Sequence, residues 1–72
     1  MKILDLHGTR HNTAEIKVIN FVATTETPFK IITGDSEAMR KIVIAVIKQY
    51  NYEWYPEHYS NYGAYIIRDK TN

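Results

Sequence analysis

Seventy-two residues are enough for one domain with a small core, since at this length only about 60% of the unfolded chain's surface is buried on folding. The chain has no cysteine, which excludes disulfide scaffolds and thiolate zinc sites. Nine Lys and Arg against eight Asp and Glu leave a net charge of +1, so any contact with nucleic acid must come from a local patch and not from a global field. No apolar run approaches the roughly 20 residues of a membrane span. The start, Met1 to Asp5, has no signal-peptide pattern. A soluble cytoplasmic domain over residues 1–72, with no membrane partner, is the expectation.

Ile3 to His7 reads as a first strand, ended by Gly8, with Leu4 and Leu6 on one face and Ile3, Asp5 and His7 on the other. Gly8 to Asn12 is a polar turn. Asn12 is the expected N-cap of a first helix, with Glu15 completing a relaxed capping box. That helix runs to about Thr24 on an apolar stripe of Ala14, Val18, Phe21 and Val22, flanked by Ile16 and Ile19, and Pro28 stops it. Phe29 to Thr33 is a second strand, ended by Gly34. Asp35 or Ser36 caps a second helix, whose stripe is Met39, Ile42, Val43, Val46, Ile47 and Tyr50. Tyr52 to Tyr55 alternates as a third strand. Pro56 to Gly63 reads as a polar loop, Ala64 to Arg68 as a fourth strand, and residues 68–72 as a frayed tail.

The order strand, helix, strand, helix, strand, strand implies an α/β fold of the α+β two-layer kind. Two βα units call for parallel strands with right-handed crossovers, and the last two strands for an antiparallel hairpin. The result is a four-stranded mixed sheet with two helices. Whether the helices share a face is not readable from periodicity.

The carboxyl ends of the first two strands open directly into helix starts. If the strands are neighbours, both helix N-termini lie at one edge, where free amides and the helix dipole favour anions. Arg10, His11 and Arg40 can reach a phosphate there, and Gly8, Thr33, Gly34, Asp35 and Ser36 belong to the two turns that make up the rest of the candidate phosphate-binding edge. Asp5 and His7 lie two apart on a strand. Either Asp5 holds one ring nitrogen and His7 acts as acid or base, or Asp5 merely tethers the next turn. A metal set of Asp5, His7 and Asp35 is the weaker reading, because no ligand array is present. No P-loop, nucleophile elbow or cysteine nucleophile occurs.

All six tyrosines and the single tryptophan fall between Tyr50 and Tyr65. Tyr50, Trp54 and Tyr65 are read as core. For Tyr59 and Tyr62, core filling and base stacking stand about level.

The string Leu4-Asp5-Leu6-His7-Gly8 resembles the opening L-D-L-H-G motif of the Smr (small MutS-related) domain family. Thr33-Gly34-Asp35-Ser36, with Arg40 after it, is similar to the family's Thr-Gly-x-Gly turn and helix. Asn61-Tyr62-Gly63 before Ala64 to Ile67 is similar to its approach to the last strand. The resemblance spans about Ile3 to Arg68. It implies a fold similar to the C-terminal domain of translation initiation factor three, here as a stand-alone minimal member. It implies binding of RNA or DNA and, in many members, endonuclease activity, with Asp5 and His7 tied to cleavage and Thr33-Gly34 to the substrate edge. The second glycine of the turn is Ser36 here, and Asp35 adds a negative charge where phosphate would sit. That departure leaves three readings open: a weakened phosphate cradle, a site using a divalent cation, and a non-catalytic module for nucleic acid or a protein partner.

Overall fold

The computed structural model describes residues 1–58 and 60–70, with Asn61 and Tyr62 described by backbone alone. Six elements follow in the expected order: β1 (Ile3–Asp5), α1 (His11–Thr24), β2 (Phe29–Ile32), α2 (Glu37–Gln49), β3 (Tyr52–His58) and β4 (Asn61–Asp69). They form one sheet in the order β1-β2-β4-β3. β1 pairs with β2 in parallel, and β4 pairs antiparallel with both β2 and β3. β3 therefore runs parallel to β2, and β4 is inserted between them.

This order settles where the helices go. The crossovers from β1 to β2 and from β2 to β3 step across the sheet in the same direction. Right-handed connections then place α1 and α2 on the same face. On that face, Phe29 and Ile31 of β2 stand opposite Ile67 and Tyr65 of β4. These four join Leu6, the α1 residues Ala14, Val18 and Val22, and the α2 residues Met39, Val43, Val46 and Ile47 in one buried cluster. Phe29 is fully buried and meets Phe21 and Tyr52 edge-on, at centroid distances of 5.2 and 6.3 Å. Both helix stripes follow the expected periodicity apart from two residues: Ile16, read as flanking the α1 stripe, is 62% exposed, and Tyr50 is exposed and stacks on Tyr52.

The opposite face of the sheet carries Lys30, Ile66 and Tyr55 in register. Lys30 reaches across β4 to Glu57, 2.6 Å from its carboxylate. At this exposure such a pair contributes about 0–1 kcal/mol. The Tyr55 hydroxyl donates to Glu53 at 2.7 Å, and that bond pushes its pKa above the ordinary tyrosine value.

Four local expectations are corrected. β1 stops at Asp5, because Leu6 to Thr9 closes into a turn. The N-cap of α1 is Arg10 and not Asn12, and no side chain caps this end, so Glu15 completes no capping box. The region 56–63 is not a long loop: β3 continues to His58 and β4 begins at Asn61. Proline at position 56 is accommodated in an edge strand, which has a partner on one side only, next to a register shift between Pro56 and His58. The expected tail is partly ordered: Arg68 and Asp69 belong to β4, and the Lys70 ammonium donates to the Asn51 side chain at 3.0 Å. Thr71 and Asn72 lie outside the described residues.

Candidate anion-binding edge

Both parallel strands end at the same side of the sheet, and their turns touch. After β1, the Leu6 amide donates to the Ile32 carbonyl at 2.8 Å, and the Thr9 amide to the Leu6 carbonyl at 2.9 Å. Gly8 takes a φ of 80° inside that turn, where glycine carries no steric penalty. One Asp5 carboxylate oxygen accepts from the His7 backbone amide at 2.9 Å. No hydrogen bond or ion pair joins the Asp5 carboxylate to the His7 ring. Asp5 thus shapes the turn that presents His7 and leaves the imidazole exposed.

After β2, the Thr33 and Gly34 amides both donate to the Gly63 carbonyl, at 2.8 and 3.0 Å. The Thr33 hydroxyl donates to the Gly34 carbonyl at 3.0 Å. Two segments 30 residues apart, Thr33-Gly34 and Gly63, are therefore tied by backbone bonding. The tie also engages the amides of Thr33 and Gly34, so a ligand at this turn meets other donors. Gly34 has φ 70°, and a methyl group there would lie 3.5 Å from the His7 ring, an ordinary contact. Gly34→Ala is accordingly expected to cost about 1–2 kcal/mol through the left-handed backbone alone. A urea titration reads this directly, and an unchanged midpoint would remove the constraint.

The helix starts meet as well. Ser36 caps α2, its hydroxyl accepting from the Met39 amide at 3.1 Å. The same hydroxyl lies 3.3 Å from Nε2 of His11, the first residue of α1. Glu37 and Ala38 of α2, and His11 and Asn12 of α1, occupy first-turn positions whose amides have no intrahelical acceptor. Arg10 stands exposed before α1, and Arg40 is half-buried one turn into α2. Among the described residues, neither arginine forms an ion pair. Asp35 is exposed between them, and Glu37 pairs with Lys41 at 3.7 Å. Gly8, Arg10, His11, Ser36 and Arg40 are thus placed around one edge with His7.

Among the described residues, no three His, Asp or Glu side chains are grouped so that they could hold a metal ion. Asp5, His7 and Asp35 thus do not come together as a divalent cation site. A hollow of about 580 Å³ lies at the other end of the sheet, lined in part by Thr24, Glu26, Thr27, Tyr52 and Asp69. Its lining includes two carboxylates and no basic side chain, which disfavours an anion there.

The aromatic block divides. Tyr65 is buried, and Trp54 is half-buried with the Lys48 ammonium 5.8 Å from its ring. Tyr50 and Tyr52 stack at the end opposite the candidate edge. Tyr59 and the side chain of Tyr62 lie outside the described residues. Sequence reasoning missed His58 and Ser60. Because β3 runs parallel to β1 and β2, its carboxyl end arrives at the same edge, and the Ser60 amide donates there to Nδ1 of His58 at 3.3 Å. The signal was the strand direction, which depends on where β4 is inserted. No helix among the described residues is long and apolar enough to cross a membrane. Compared with protein-family models, curated proteins and solved structures, the chain matches none.

Proposed function

We propose that this chain is a cytoplasmic nucleic-acid-binding domain that holds a sugar–phosphate backbone along the edge formed by Gly8, Arg10, His11, Ser36 and Arg40. The observation that carries the reading is the 3.3 Å approach of His11 to Ser36, which brings two helix N-termini to one place near two arginines that form no ion pair among the described residues. Helix amides and guanidinium groups are complementary to phosphate oxygens. The resemblance to Smr domains points the same way. With a net charge of only +1, binding is weak and salt-sensitive, and the slope of log affinity against log salt counts the phosphates engaged.

Cleavage is the further step of this reading. On RNA, His7 would take the proton of the attacking 2′-hydroxyl or return one to the departing 5′-oxygen. Asp5 would position His7 through the backbone bond, and Arg10, Arg40 and the helix amides would stabilise charge developing on the phosphate. Asp35, exposed at the same edge, favours binding without turnover.

Titration with a short oligonucleotide, followed by amide NMR shifts, tests binding. Shifts are expected at Leu6 to His11 and Thr33 to Arg40, and a salt-independent affinity would sink the reading. Labelled RNA and DNA incubated with wild type and His7→Ala test cleavage: activity lost in the variant assigns His7, and unchanged activity removes it. A second reading rests on the exposed sheet face, where Ile3 and Tyr55 are 53% and 47% exposed. A protein partner bound there would be insensitive to Arg10→Glu.

A further inference from the structure

One hydroxyl serves both helix starts. As the N-cap of α2, Ser36 accepts from the Met39 amide at 3.1 Å, and the same oxygen lies 3.3 Å from Nε2 of His11. Among the described residues this contact is the one side-chain hydrogen bond that joins the start of α1 to the start of α2. A serine hydroxyl has one proton and two lone pairs. The Met39 amide supplies its own proton and takes one lone pair, so the serine proton remains to be given. Among the described residues, the acceptor in reach of it is Nε2 of His11.

A neutral imidazole whose Nε2 accepts carries its proton on Nδ1. Nδ1 of His11 has no hydrogen-bond partner among the described residues, and the residue is exposed. The charged residues on the two segments that meet here are Arg10 and Glu15 beside His11, and Asp35, Glu37 and Arg40 beside Ser36. Among the described residues none of these is ion-paired with the ring, and Glu37 alone is engaged, with Lys41.

We propose that Ser36 is a positioning residue of the binding edge: its hydroxyl donates to Nε2, holds neutral His11 in the Nδ1–H form, and so offers a bound phosphate an N–H donor from an uncharged ring. The inference rests on the proposed nucleic-acid reading and adds the nitrogen and the protonation state through which His11 acts. A ring held this way donates to a phosphate oxygen without first taking up a proton. Its part in binding therefore persists at pH 8, above the ordinary titration range of histidine. Serine at the position where the resembled turn has its second glycine then supplies a hydroxyl that glycine lacks.

Two substitutions separate this role from capping. Ser36→Thr keeps both the cap and the hydroxyl, whereas Ser36→Gly keeps most of the cap and loses the hydroxyl. The first readout is the nitrogen NMR spectrum of the His11 ring in the free protein at pH 8. A proton on Nδ1 and none on Nε2 is expected in wild type and Ser36→Thr, and a mixture of the two forms in Ser36→Gly. The wild-type spectrum decides the tautomer even if a variant is poorly folded. The second readout is fluorescence anisotropy with a labelled oligouridylate at the same pH. Ser36→Gly and His11→Ala are each expected to lose about tenfold in affinity, the size of one hydrogen bond to a charged acceptor, and the double variant no more than either alone. Ser36→Thr is expected to bind as wild type does. A proton on Nε2 in wild type, or losses that multiply in the double variant, would overturn the positioning role and leave the edge standing. No binding of the oligouridylate by wild type would remove the nucleic-acid reading, and the donor role of His11 with it, whichever tautomer the ring adopts.

Discussion

Phe29→Ala is expected to bring the domain close to its unfolding midpoint at room temperature. Phe29 is fully buried at the centre of the sheet's covered face and makes edge contacts with Phe21 from α1 and Tyr52 from β3. Truncating a buried Phe to Ala typically costs about 3–5 kcal/mol, from lost transfer energy and the cavity left behind. At roughly 0.05–0.15 kcal/mol per residue, a chain of 72 residues has about 4–11 kcal/mol in total. One side chain therefore represents a large share of the stability, because so small a core has few others to compensate. Urea unfolding followed by Trp54 fluorescence reads the change. Phe29→Leu, which refills most of the volume, is expected to lose much less. An Ala variant with an unchanged midpoint would mean that this ring does not organise the core.

Reversing both arginines, Arg10→Glu with Arg40→Glu, is expected to weaken oligonucleotide binding by more than about 100-fold. Each charge-assisted hydrogen bond to phosphate contributes about 1.5–3 kcal/mol, and 1.4 kcal/mol is tenfold in affinity. The two reversals also change the net charge from +1 to −3, two units for each. That global change needs its own control. Lys2→Glu with Lys17→Glu produces the same net charge from exposed positions away from the edge. If the control loses as much affinity as the arginine pair, the field of the whole molecule is responsible and the edge is not. Circular dichroism establishes that both doubles are folded.

The candidate edge was only partly legible in the residues. Arg10, His11, Ser36 and Arg40 follow from two strands opening into two helices, and their convergence followed once β1 and β2 were neighbours. The relation of Asp5 to His7 was not legible. Spacing by two puts both on one face of a strand, yet the strand ends at Asp5, and the carboxylate finds the His7 amide before it can find the ring. Thr33-Gly34 looked like a phosphate turn, but its amides belong to Gly63, a partner far along the chain. Asn12 has the chemistry of an N-cap, yet α1 begins earlier, leaving its first amides without a side-chain partner. Pro56 reads as a loop residue in the sequence, because its penalty in a strand depends on whether a neighbour lies on both sides, which is a property of the sheet.

What the residues determine by themselves is local: the order of six elements, the two helix stripes, the Ser36 cap and the alternation along each strand. These depend on side-chain periodicity and on backbone groups a few residues apart. The tertiary structure alone decides that β4 is inserted between β2 and β3. From that one fact follow the parallel direction of β3, the placement of both helices on one face, and the arrival of His58 at the end of the sheet where His7 and His11 lie. Strand pairing is made by backbone amides and carbonyls that every residue shares, so its partners are chosen by the packing of the whole core and not by any motif within the chain.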